Sequence, residues 1–89
     1  MRVKEGFVLR DVAGQTVVIA TGKASKNFHG MIRLNATGKD IWQGLQEGLS
    51  DIEISENLSK KYEIDLEDAE NDVKEFLGKI REMGFLENE

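Results

Sequence analysis

The 89 residues contain no cysteine and no proline, and only one histidine, one tryptophan and one tyrosine. Without cysteine there is no disulfide framework and no thiolate metal site. His29 is the sole imidazole, so neither a histidine metal cluster nor a Ser-His-Asp arrangement can be assembled within one chain. His29 itself reads as a partly exposed loop or strand residue. "TGK" occurs at Thr21–Lys23 and again at Thr37–Lys39, but neither copy has the upstream glycine of a phosphate-binding loop. We therefore expect no catalytic residue, no metal and no cofactor. Apolar runs of about 18 residues are missing, and the amino terminus "MRVKEGFVLRDVAG" has no apolar stretch of signal-peptide length. The expectation is a soluble cytoplasmic protein that does not engage a membrane.

A chain of this length buries roughly 60 to 65% of its unfolded surface, enough for one small core. A single domain over residues 1–89 is expected. The net charge of −5 is unevenly spread. Residues 1–34 carry six bases and two acids, for +4, and residues 35–89 carry six bases and fifteen acids, for −9. Such asymmetry either pairs across the fold and sits solvated, or steers a partner of matching charge.

Periodicity divides the chain near Asn35. "FVLRDV" (Phe7–Val12), "TVVIA" (Thr16–Ala20) and "MIRL" (Met31–Leu34) are rich in β-branched and apolar residues. The first two flank the short Gly-containing turn "AGQ" and form a hairpin, to which "MIRL" adds a third strand. Between them "TGKASKNFHG" (Thr21–Gly30) reads as a polar surface loop anchored by Phe28. Strands are placed at about 7–34 and helices at about 36–84.

Beyond Asn35 the apolar residues recur at helical steps. Ile41, Trp42, Leu45 and Leu49 gather on one side of a helix that Asn35 caps and Gly48 ends. Ser50 and Glu53 have capping-box spacing at the start of a second helix, whose buried stripe is Ile54, Leu58 and Tyr62. Asp65 is the expected cap of a third, Leu66–Met83. Leu66, Ala69, Val73, Phe76, Leu77, Ile80 and Met83 recur there at steps of three and four. Gly84 stops that helix, and Phe85 and Leu86 fold back over the core. The acids Glu67, Asp68, Glu70, Asp72, Glu75 and Glu82 read mostly as its solvated face. Asp72 borders the apolar stripe beside Phe76, whereas Glu67 and Glu75 are placed near the opposite face.

These elements describe an α+β domain of winged helix-turn-helix type, a three-stranded antiparallel sheet followed by three helices. Winged helices often read DNA, which requires positive charge on the element entering the groove. The third helix has six acids against Lys74, Lys79 and Arg81, the wrong sign for that task. No nucleic acid is expected as a partner. A transcription regulator stands as the runner-up reading, and a structural or homodimerising module as the third.

The run "FHGMIRLNATGKDIW" from Phe28, then "SDIEI" from Ser50, "YEID" from Tyr62, "DVKEFL" from Asp72 and "MGFL" from Met83, resembles the PqqD-like family over about Gly6 to Leu86. These are small peptide chaperones, or recognition elements, of ribosomally made and modified peptides. The resemblance implies that a precursor's leader segment adds as a further strand to the edge of Met31–Leu34, in a groove walled by the third helix. It implies a peptide-binding set of Met31, Ile32, Arg33, Leu34, Asp72, Val73, Phe76, Lys79 and Ile80. It further implies presentation of the leader to a modifying enzyme, expected to be a radical enzyme using S-adenosylmethionine. Members dedicated to pyrroloquinoline quinone typically run from the second strand into a short proline-containing link. The longer, proline-free "TGKASKNFHG" resembles the broader family instead.

Overall fold

In the computed structural model, which describes residues 2–22 and 31–87, the β-rich amino-terminal stretch forms a three-stranded antiparallel sheet in the order β1–β2–β3. The strands are β1 (Phe7–Val12), β2 (Gln15–Ala20) and β3 (Met31–Leu34). The anchor expected at Phe28 and the site expected for His29 lie outside the described residues. Val12 pairs with Gln15, so the β1–β2 turn is only Ala13 and Gly14, with φ of +52° and +79°. Positive φ at both central residues is the type I′ signature, which matches the twist of the flanking strands. Glycine adopts it freely, whereas Ala13 carries a Cβ penalty.

Three helices follow: α1 (Ala36–Gln46), α2 (Asp51–Tyr62) and α3 (Leu66–Glu82). The Asn35 side chain accepts from the Gly38 amide at 2.8 Å, so β3 passes into α1 with no intervening loop. Ser50 and Glu53 form the reciprocal capping box, each bond 3.1 Å. Asp65 occupies the N-cap position of α3 but makes no side-chain cap hydrogen bond. Glu67 and Asp68 in the first turn place negative charge at that helix end instead.

The core lies between the sheet and the helices. Phe7 and Val18 of the sheet meet Ile41, Trp42 and Leu45 of α1, Ile54 and Leu58 of α2, and Ala69, Val73, Leu77 and Ile80 of α3. Phe85 and Leu86 are buried against them, as their position after Gly84 implied. Backbone bonds Lys4 N to Phe85 O (2.7 Å) and Glu87 N to Arg2 O (2.8 Å) tie the two described ends together. The apolar stripe of α3 is narrower than its sequence period suggested. Leu66 and Met83, at its two ends, are 45% and 46% exposed because the core stops short of them.

A polar clasp joins α1 to α2. Asp40 accepts from Lys61 Nζ at 3.0 Å through one carboxylate oxygen and from the Tyr62 hydroxyl through the other. Donation to Asp40 raises the Tyr62 pKa above its ordinary value, and partial burial and the Asp40 charge add to this while Lys61 opposes it. The neutral phenol is thus the stabilised form. Its contribution is complete below the ordinary tyrosine pKa of about 10 and is lost as pH rises through the higher folded value. Tyr62 is the only tyrosine, so absorbance at 295 nm reports it alone. We expect an ionisation midpoint above that of free tyrosine, returning towards it in Asp40→Ala. A wild-type midpoint at or below the free value would rule the clasp out in solution.

Candidate functional site

Register decides what β3 offers. Thr21 N donates to Gly6 O at 2.6 Å, which makes Gly6 and Thr21 a hydrogen-bonded pair across the hairpin. Bonded pairs recur every second residue in an antiparallel ladder, so Val8–Ile19, Arg10–Val17 and Val12–Gln15 are the bonded pairs between β1 and β2. Thr16 and Val18 consequently direct their backbone groups to β3, where they face Leu34 and Ile32. Met31 and Arg33 are left with N–H and C=O turned away from β2. Among the described residues no further strand pairs with β3, so these groups line an open sheet edge. Exposed edges are usually blunted by charge or proline. Within β3 itself Arg33 is the one charged residue, and the strand holds no proline.

Side chains alternate with the backbone. Ile32 and Leu34 share the helix-facing side with Val18, whereas Met31 and Arg33 project from the outer face. A groove of about 570 Å³ runs beside the open edge. Ile32 and Leu34 form its strand wall, Ile41 and Gly38 of α1 its floor, and Asp72, Glu75, Phe76, Lys79 and Ile80 of α3, with Met83 at the C-cap of that helix, its far wall. Phe76 is half-buried, packed on the core with one edge in the groove. A Cβ on Gly38 would stand 3.2 Å from Phe76 Cε2 and 3.0 Å from Asn35 Oδ1, so glycine there lets the ring seat close to the start of α1. The far rim is polar, with Lys79 Nζ 4.0 Å from Glu75 Oε1, both side chains well exposed.

Seven of the nine residues expected to form the site therefore line one groove: Ile32, Arg33, Leu34, Asp72, Phe76, Lys79 and Ile80. Met31 does not line it. Its side chain is 58% exposed on the outer face, and only its backbone faces the edge. Val73 is 1% exposed and lines a separate depression of about 850 Å³ on the other flank of α3, shared with Leu49 and Ile52. Glu75, expected from sequence near the opposite face of the helix, lies on the groove side. It stands one turn from Asp72 and Lys79, both on the groove wall, and so joins the rim. Glu67 stays outside the groove.

The α1 residues Gly38 and Ile41, and Met83 at the C-cap of α3, line the groove beyond the residues expected from sequence. The signal for the first two was present in "RLNATGKDI": with no loop between β3 and α1, the first turns of that helix must flank the strand edge. Among the described residues no three His, Asp or Glu side chains are gathered to hold a metal ion. No helix of the described chain is long and apolar enough to cross a membrane.

The family described as coenzyme PQQ synthesis protein D (PqqD) matches residues 8–86. No curated protein sequence matches significantly. Among solved structures, TbiB1 in complex with the TbiA(beta) leader peptide superposes with a TM-score of 0.80 at 24% identity, covering 100% of this chain and 98% of that one. Lasso peptide synthetase B1 complexed with the leader peptide superposes with a TM-score of 0.75 at 23% identity, covering 94% and 93%. Both share the fold of this chain.

Proposed function

The chain belongs to the PqqD family, and from that premise we propose that it binds the leader segment of a ribosomally made precursor peptide by strand addition to β3 and presents it to a modifying enzyme. The observation that carries this reading is the coincidence of an open strand edge with an apolar groove beside it. Main-chain bonds to Met31 and Arg33 supply register and affinity; pockets at Ile32, Leu34, Phe76 and Ile80 select side chains. The domain contributes no bond-making chemistry. Catalysis falls to the partner, a radical enzyme using S-adenosylmethionine being the class we assign. We place this work in the cytosol, where a cysteine-free domain needs no disulfide to hold its core.

Ladder parity sharpens the test. Added leader peptide is expected to slow exchange of the Met31 and Arg33 amides, because these are the donors that an incoming strand occupies. The Ile32 and Leu34 amides, already bonded to β2, should change little. Clear binding with no alternation in this strand would sink strand addition in favour of docking through side chains alone.

A further inference from the structure

The groove beside β3 continues past Leu34 into a cleft of about 620 Å³, walled by the hairpin turn and the start of α1. Groove and cleft share Arg33, Leu34 and Asn35. The charged residues lining the cleft are Arg33 and Lys39, and no carboxylate lines it. The outer face of the sheet has the same sign. Arg10 and Arg33 project from it, while Asp11, the one acid in the strands, lies on the helix-facing side and accepts from Thr16 Oγ1 at 2.9 Å. Arg33 donates to the neutral Gln15 amide oxygen at 3.3 Å. Among the described residues neither Arg33 nor Lys39 is paired with a carboxylate.

The alternation of a strand turns this charge into a sequence requirement. Whichever direction the added strand runs, its residues beside Ile32 and Leu34 point into the apolar groove, and the residue between them points out beside Arg33. Directly opposed side chains on one face stand with Cβ atoms about 4.5–5.5 Å apart, within reach of a guanidinium–carboxylate contact. We propose that this chain selects a leader segment in which two apolar residues flank an aspartate or glutamate, the apolar pair entering the groove and the carboxylate meeting Arg33 at the mouth of the Lys39 cleft. The inference rests on the strand-addition reading above and adds to it the chemistry of the peptide. It also runs against the net charge of −5, which repels acidic peptides at long range. A preference for acid is therefore the mark of local contact.

Two synthetic peptides decide the matter, identical except that one carries Ile-Glu-Leu and the other Ile-Lys-Leu in the same polar frame. Affinity is measured by fluorescence anisotropy, and Met31 and Arg33 amide protection is followed with each. Wild type is expected to bind the glutamate peptide about fivefold more tightly, the scale of one cross-strand charge pair. Arg33→Glu should reverse the order, whereas Glu67→Lys, outside the groove, should leave the ratio unchanged. Equal affinities in wild type, or equal weakening of both peptides by Arg33→Glu, overturns the acidic requirement. If both peptides still protect Met31 and Arg33 in that case, strand addition itself stands. Binding without such protection overturns strand addition, and binding of neither peptide overturns the proposed motif.

Discussion

Replacing Arg33 by proline is expected to weaken leader binding on the order of tenfold to hundredfold while leaving the fold largely intact. Proline removes the outward N–H that the added strand would use and puts a ring in its path. One main-chain hydrogen bond contributes about 0.5–1.5 kcal/mol net, and the ring adds a steric term. The same substitution one residue earlier has a different result. The Ile32 N–H belongs to the ladder with β2, so Ile32→Pro breaks an internal bond and strains the sheet. Arg33→Pro should therefore lose affinity with little change in Tm, and Ile32→Pro should lower Tm markedly. Calorimetric titration and thermal unfolding of the two variants separate these effects. Full affinity in a folded Arg33→Pro would remove β3 as the docking edge.

The largest effect on stability is expected at Phe85. Its ring centroid lies 4.5 Å from that of Phe7 and 6.0 Å from that of Trp42, edge-on to the indole, and the residue is 1% exposed. It thus joins the start of β1, the middle of α1 and the carboxy-terminal segment. Truncating a buried phenylalanine to alanine costs roughly 3–5 kcal/mol. At about 0.05–0.15 kcal/mol per residue, a domain of this size has only about 4–13 kcal/mol in total. Phe85→Ala should lower Tm by roughly 15–30 °C, read by circular dichroism. A fall of only a few degrees would mean that the segment after α3 is not docked as described. Because Phe85 lies outside the groove, leader affinity of the fraction that remains folded should be close to wild type.

The difference between these two variants follows from where each residue's role is written. Phe85 as a core residue is legible in "MGFL", since a glycine stop followed by two large apolar residues leaves them little choice but to turn back on the domain. Arg33 as the residue with the outward N–H is not. Its role depends on the pairing of Thr16 and Val18 with Leu34 and Ile32, and that parity descends from the distant hairpin turn at Ala13 and Gly14. Glu75 is a different case: its steps of three and four from Asp72 and Lys79 put it on their side of the helix, against the expectation of the opposite face, and the position of β3 against α3 makes that side a groove rim.

What is local was legible in the residues themselves: three strands and three helices, the Asn35 cap, the Ser50–Glu53 box, the hairpin turn and the stripe from Ala69 to Ile80. Each depends on residues within a turn or two of one another, where period and capping chemistry act directly. Only the packing of these elements on one another set which edge of β3 is unpaired among the described residues, which of its amides face out, and that Met83 joins the groove whereas Val73 is buried on the other side of α3. A period gives the direction of a side chain about its own axis. It does not say which distant element lies in that direction, and here burial or exposure at the margins of α3 is set by where the sheet and α1 come to rest against it.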